Sequence, residues 1–466
     1  MKRPPQPIRR APSALLGLAL GLGLLLPAHH SAQAATTTLV GGTIHTASGP
    51  ALTNAWIHVR DGRIVSVNTA PTPEPPADTR IDLHGLHLYP GLIAADTVLG
   101  LIEIEGVRAT RDNREVGTFR PDVFAWVAIH PDSDLIPVAR ANGFTHVEST
   151  PQGGVVSGFS AVIHLDGWTS EQMTLNKAAA LHLHWPEFGL DPTPKDQSPN
   201  PARWKSPEDQ IRDRNNRLQE IDDFFRDAAA YAAARKAALG DLAPLPAPGD
   251  HHQRPPTPAD FALVPAWEAL LPVLQGQTPV FLHAEEAPQI RSAVEWALGR
   301  NLKPVVVGAR DAARIAPWLA QLRIPVVYEH VHTLPVRDTD PYDVQFTAPA
   351  TLSLAGVQVS FGGGATRYGA ANLRNLPYTA AQAVAFGLEP LEALRGLTLY
   401  PARILGVADR LGSIEPGKDA TFFIANGDIL DVRTQVRRLW IAGQEVSLES
   451  RHTRLYERYR NRPQPR

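Results

Sequence analysis

Pro90-Gly91-Leu92-Ile93-Ala94-Ala95-Asp96-Thr97-Val98 is a short apolar run that opens on a turn dipeptide and carries one carboxylate near its end. The pattern predicts a buried strand whose carboxyl end meets a cavity. Seven more runs of similar texture follow this first one at 88–98: 144–150, 160–165, 180–185, 279–285, 303–309, 324–331 and 357–363. Helix-like stretches at 288–298, 312–322 and 379–387 come between or after them. Eight strands with helical returns predict an α/β protein built on a parallel (β/α)8 TIM-like barrel.

The two ends of the chain differ from this middle. Residues 1–10 carry Lys2, Arg3, Arg9 and Arg10 without an acid, an apolar run covers 14–26, and Ala32-Gln33-Ala34 follows. A basic head, a short apolar core and an A-x-A site predict a secretory signal peptide over 1–34, hence an exported, periplasmic protein. Its removal takes away four positive charges and moves the net charge from −2 to about −6. The run is short for a membrane span and is interrupted by Gly17, Gly21 and Gly23, so no stable span is expected after cleavage. There is no cysteine, which excludes disulfides and thiolate chemistry, and no basic excess that would suit nucleic acid.

Segment 35–89 alternates like strands, with Asp61-Gly62 as a hairpin signal, and 411–450 repeats that texture. The two predict one small β-sandwich domain assembled from both termini around a barrel at 90–410. An insertion at 186–273 interrupts the barrel with a charged, Ala-rich helix candidate at 208–239 between Pro-rich stretches. It reads either as a cap over the barrel mouth or as a hairpin on its rim. The tail 451–466 is Arg-rich and is expected to cap the β domain or stay solvated.

Three segments resemble the metal-dependent amidohydrolases, in particular their imidazolonepropionase-like branch: Pro90-Gly91-Leu92-Ile93, the stretch from Ala393 through Thr398, Pro401 and Ala402 to Leu405-Gly406, and Leu411-Gly412-Ser413-Ile414-Glu415-Pro416-Gly417. The family continues the last of these with Ala-Asp, where this chain has Ala420-Thr421. The resemblance implies a barrel hydrolase acting on non-peptide carbon–nitrogen bonds. It also implies a metal held by His-x-His on strand one and by histidines on strands five and six, with a catalytic aspartate on strand eight. Here those positions carry Asp96 and Val98, His283, Gly308 and Gly364. Only His283 is retained, so the usual site is expected to be degenerate.

The chain offers partial replacements. Tyr328-Glu329-His330-Val331-His332 supplies a same-face histidine pair at ligand spacing, and Asp96, His283, His330 and His332 are the candidate ligands of at most one divalent, zinc-like metal. The competing reading is a rim pair, His330 and His332, bonded to Asp338 or Asp340. His182-Leu183-His184 has the same spacing, but Trp185-Pro186 beside it suggests packing at a strand end. Loops after barrel strands place Glu103 and Arg111, and the Gly153-Gly154 turn with Ser157 and Ser160, as candidate contacts for a small polar substrate. Two functions remain open: a hydrolase with a rebuilt single-metal site, or a metal-free protein that binds a small polar ligand or a protein partner through the barrel mouth.

Overall fold

The computed structural model describes residues 36–104, 106–240, 261–460 and 462. The expected signal peptide therefore lies outside the described residues. Among those residues no helix is long and apolar enough to cross a membrane.

The first sheet joins the two ends of the chain. It contains β1 (Thr36–Ile44), β2 (Leu52–Arg60), β3 (Arg63–Thr69), β4 (Thr79–Asp82) and β5 (His87–Pro90). The β2–β3 hairpin turns on Asp61 and Gly62, both at positive φ (49° and 72°), the conformation that favours Asp-Gly in a two-residue turn.

The barrel follows as β6 (Leu92–Thr97), β7 (Phe144–Ser149), β8 (Val156–Phe159), β9 (Ala161–His164), β10 (Thr174–Asn176), β11 (Leu181–His184), β12 (Val280–Ala284), β13 (Pro304–Gly308), β14 (Val326–Tyr328) and β15 (Val359–Gly364). The chain then returns to the first sheet as β16 (Phe422–Ala425), β17 (Val436–Ile441) and β18 (Gln444–Val446). There β16 pairs antiparallel with β5, Tyr89 opposite Phe423, and Leu39, Ile57, Leu88, Phe422 and Trp440 share one buried cluster.

The run at 88–98 is two strands in two sheets, not one. Pro90 ends β5, and the chain crosses to the barrel at Gly91, whose N–H reaches the Thr421 carbonyl at 3.1 Å. A Cβ at 91 would lie 2.1 Å from Thr145 Oγ1, so only glycine lets the chain pass so close to β7.

The barrel closes with one stave reversed. β6 pairs with β7 and β15, and β11 through β15 pair in succession, all parallel. Between β7 and β11 lie β9, antiparallel to β7, and β8, antiparallel to β11. β8 and β9 are one stretch of chain joined at Ser160, whose N–H bonds the Ala180 carbonyl at 2.9 Å. Only residues 150–155 separate β7 from β8. A parallel crossover needs a dozen residues or more, so the third strand has to run back. The reversal carries the Gly153-Gly154 turn and Ser157 to the end of the barrel where the parallel strands finish.

The insertion packs along the barrel flank. Its helix, Pro207–Leu239, starts on Ser206, whose Oγ accepts the Asp209 N–H at 3.2 Å. Buried Phe225 meets Trp296 edge-on at 4.9 Å, and Phe224 stacks on Phe119 of the loop after β6 at 4.5 Å. Arg235 and Glu268 form a buried ion pair at 2.6 Å with the helix Pro265–Leu274. The helix therefore braces a mouth loop from the side. The C-terminal helix Arg451–Arg460 is exposed throughout and pairs through Arg451 with Asp134, 3.2 Å away.

One buried histidine tests this packing. His146 on β7 is 3% exposed, and burial, helped by His164 and Arg410, lowers its pKa to about 3. Between the unfolded value of 6.5 and that folded value, the unfolded chain takes up a proton that the folded chain refuses. Stability is therefore full above pH 6.5 and falls as pH drops, by up to ~1.4 kcal/mol per pH unit for this group. Urea denaturation between about pH 7.5 and pH 5 is expected to give a shallower pH slope for His146→Gln than for the parent. An unchanged slope would refute the assignment.

Candidate active site

Alternation along the barrel strands sends a band of ionisable groups inward. His182 on β11 and His283 on β12 face the interior, where the His182 ring lies 5.1 Å from Phe281. Below them Ile93, Phe281, Val305, Val307 and Val327 form an apolar floor. Asp96 reaches the same space by a backbone irregularity. The β6–β7 register shifts between Ala94 and Thr97, and Asp96 sits at φ 48°, a conformation aspartate tolerates better than most residues.

Glu148 on β7 organises the group. It is wholly buried, and its two oxygens accept three hydrogen bonds: from Ser160 Oγ at 2.6 Å, from the Asp96 N–H at 3.0 Å and from His182 Nε2 at 3.2 Å. A carboxylate on Nε2 fixes the proton there and leaves His182 Nδ1 as a lone-pair donor. That Nδ1 lies 2.9 Å from His283 Nε2 and 3.9 Å from Asp96 Oδ1. One ligand atom from each of Asp96, His182 and His283 falls within 4.8 Å of the others. Around them, His184 stacks on His283 with ring centroids 4.2 Å apart and bonds Ser157 Oγ through Nε2 at 3.0 Å.

The charge balance of this band is unusual. Burial, reinforced by the neighbouring imidazoles, holds His283 and His184 well below the ordinary histidine range, so both are neutral. Glu329, just past β14, is pushed well above the carboxylate range by burial and by the Asp96 charge it faces. Among the described residues no N–H or hydroxyl of another residue reaches Asp96 Oδ1 or Glu329 Oε1, and the protonated Glu329 carboxyl is a hydrogen-bond partner of the Asp96 carboxylate. Imidazole nitrogens and a carboxylate oxygen brought together at the strand ends form a donor set suited to a divalent cation.

Two strand glycines, Gly308 and Gly362, lie directly under glutamates of the neighbouring strands. A Cβ at Gly308 would lie 2.5 Å from Glu285 Oε1, and a Cβ at Gly362 would lie 2.5 Å from Glu329 Oε1. Space that side chains of strands six and eight would fill is taken by glutamates from strands five and seven. At Gly364, two residues further on, a Cβ would meet nothing closer than Gly369 Cα at 4.0 Å, and only its φ of 75° disfavours a side chain. Val98 points into the apolar core and is fully buried.

The candidates read from sequence fall into three groups. Asp96 and His283 come together, with His182, which its Trp-Pro neighbour had suggested was a packing residue. His330 stands one step out, its Nε2 2.7 Å from Glu285 Oε2 but out of line for a hydrogen bond. His332 is exposed in the turn after β14, because that strand ends at Tyr328 and strand alternation no longer applies beyond it. Asp340, the proposed rim partner, instead pairs with Arg314 and Arg337.

The substrate contacts are corrected in the same way. Ser157 and Ser160 are buried and spent on His184 and Glu148. Glu103 accepts from Ser133 Oγ at 2.5 Å and the Asp134 N–H at 3.0 Å, fixing the start of a short helix. Arg111 is exposed. Glu148 and Glu329 were not singled out. The signal for Glu148 is a lone carboxylate in an otherwise strand-like run, Phe144-Thr145-His146-Val147-Glu148-Ser149, where burial demands a partner.

A closed barrel with its ionisable groups at the strand ends, flanked by a β sheet from both termini, is the fold of amidohydrolase-type hydrolases. Residues 346–446 match the model of the amidohydrolase family. An amidohydrolase structure from Thermotoga maritima MSB8 aligns with a TM-score of 0.71 and 25% identity, covering 88% of this chain and 99% of that one. The chain belongs to the amidohydrolase superfamily.

Curated relatives match over shorter stretches. A putative N-acetylgalactosamine-6-phosphate deacetylase of Escherichia coli (strain K12) is 35% identical over 114 residues, 23% of this chain and 65% of that protein. The imidazolonepropionase of Erwinia tasmaniensis is 60% identical over 37 residues, 8% of this chain and 9% of its own. The chain thus spans less than two thirds of the length of the curated relatives it matches.

Proposed function

We propose that this chain is a hydrolase of non-peptide carbon–nitrogen bonds that works with a single divalent, zinc-like cation held by Asp96, His182 and His283. The observation that carries this reading is the convergence of Asp96, His182 and His283 at the ends of three barrel strands, each offering one ligand atom within 4.8 Å of the others. Two buried carboxyl groups side by side, Asp96 and Glu329, are costly, and a cation among nitrogen donors would offset that cost. Such a cation, when bound, polarises a carbonyl and makes water a stronger nucleophile near neutral pH.

The protein supplies the rest. Glu148 holds the His182 ring in one tautomer, and the His184 ring with Ser157 behind it fixes the plane of His283. Glu329 is held protonated beside Asp96, where it can pass its proton to a departing nitrogen. The apolar floor shuts the barrel below, so a substrate has to enter from the mouth. Export to the periplasm belongs to the same proposal. Its support is the basic, apolar and A-x-A pattern of residues 1–34.

Elemental analysis of the purified protein, with amide hydrolysis assayed before and after chelation, tests this reading. One cation per chain and activity lost on chelation are expected. Metal-free protein whose stability and activity ignore both chelator and added zinc would overturn it and favour the metal-free binding protein.

A further inference from the structure

We propose that the helix Arg451–Arg460 is a docking surface for an anionic lipid bilayer, held by an apolar stripe at the headgroup level and by arginines on both sides of it. The helix starts on Ser450, which is buried and whose Oγ accepts the Thr453 N–H at 3.4 Å. From there on it buries nothing: all ten residues are exposed. Every other α-helix of the described residues buries at least one side chain. A helix this short is marginal in water without a surface to pack on, so its bare face calls for one.

The face has a definite pattern. His452, Leu455, Tyr456 and Tyr459 stand at i, i+3, i+4 and i+7, an arc of about 100° along one side. Leu455 is 37% exposed, Tyr456 62% and Tyr459 58%. Arg451 and Arg458 flank this arc on one side and Arg460 on the other. The guanidinium carbons of Arg458 and Arg460 lie over the rings of Tyr459 and Tyr456, 5.8 and 5.6 Å from the centroids. Phenol rings with cations beside them suit the boundary between lipid headgroups and acyl chains.

Charge selects the occupant. Four arginines against one glutamate make the helix net +3 in a chain of net −2, so the rest of the chain is net −5. An anionic surface therefore attracts this helix and repels the body, which turns one face of the protein to the bilayer. The arginines already pair at the surface, Arg451 with Asp134 at 3.2 Å, Arg454 with Glu449 at 3.7 Å and Arg460 with Glu457 at 2.8 Å. Such exposed pairs are weak, so lipid phosphates can replace the carboxylates. A second copy fits poorly. Ten helical residues offer a stripe about 15 Å long, too little for the ~800 Å² that a stable dimer buries on each partner. A twofold contact would also set the arginines against their own copies.

Sedimentation of the purified full chain with lipid vesicles tests this. The vesicles are phosphatidylcholine alone or an equal mixture of phosphatidylcholine and phosphatidylglycerol, at about 0.05 and 0.5 M salt. Binding to the mixed vesicles is expected to be about tenfold tighter than to phosphatidylcholine and to weaken about tenfold in the higher salt. The triple variant Arg451→Gln, Arg458→Gln, Arg460→Gln loses it. Leu455→Ser with Tyr459→Ser weakens it about tenfold at unchanged charge, which a contact through charge alone would not show. All five positions are exposed, and urea denaturation that matches the parent keeps folding out of the comparison. Equal binding to both vesicles, no binding of the parent to either, or binding that survives the arginine variant overturns the proposal. Inorganic polyphosphate bound as tightly as the mixed vesicles, with no loss in the Leu455→Ser, Tyr459→Ser variant, also overturns it and makes the helix a general polyanion site.

Discussion

Replacing His283 by alanine is expected to leave a folded protein that retains no cation through gel filtration and hydrolyses no amide. His283 Nε2 sits 2.9 Å from His182 Nδ1, so the change removes one of two nitrogen donors at the centre of the cluster. Removing an outer partner of a metal ligand costs ~10–100-fold in affinity, and losing a ligand outright costs more. The same change removes the ring on which His184 stacks, so His184 can turn and Ser157 loses its fixed partner. Metal content and circular dichroism on the same sample separate loss of the site from loss of the fold. A His283→Ala protein that keeps a full equivalent of cation would place the metal elsewhere or remove it from the mechanism.

Glu148→Leu is expected to damage the fold and the site together. The carboxylate accepts from Ser160, His182 and the Asp96 N–H, and leucine accepts from none of them. Ser160 keeps only a longer bond to the Ala180 carbonyl, 3.3 Å, while the other two donors stay buried without an acceptor. Breaking such a buried set costs about 3–5 kcal/mol. Glu148→Gln preserves shape and part of the acceptor capacity, so it is expected to fold better yet bind zinc ~10–100-fold more weakly than the parent, because the His182 tautomer is no longer fixed. Urea denaturation and zinc titration of the two variants check this. A Glu148→Leu protein within about 0.5 kcal/mol of the parent would show that these bonds do not hold the barrel interior.

Much of this architecture is legible in the chain. The Pro90-Gly91-Leu92-Ile93 run, the alternation at both ends and the two C-terminal signatures define barrel and sheet, because periodicity and turn chemistry are local properties. The reversed third stave is not local: it follows from the shortness of 150–155, which has meaning only once β7 and β8 are known to be neighbours. The site divides in the same way. Asp96 and His283 stand at recognisable strand ends. His182 required knowing that β11 turns its alternate residues toward β12, and His332 fell away because the strand stops at Tyr328. Glu329 lay between two histidines whose spacing drew attention from it, although it is the residue that reaches Asp96.

The glutamates that occupy the space over Gly308 and Gly362 make this arrangement hard to undo. A side chain placed at 308 meets Glu285, and one placed at 362 meets Glu329; Gly308 and Gly364 in addition hold φ values of 82° and 75° that disfavour any side chain. At 308 a histidine therefore calls for a matching change at Glu285 on the neighbouring strand, whereas at 364 only the backbone conformation resists it. Engineering a histidine into strand six of this barrel has to change Glu285 together with Gly308.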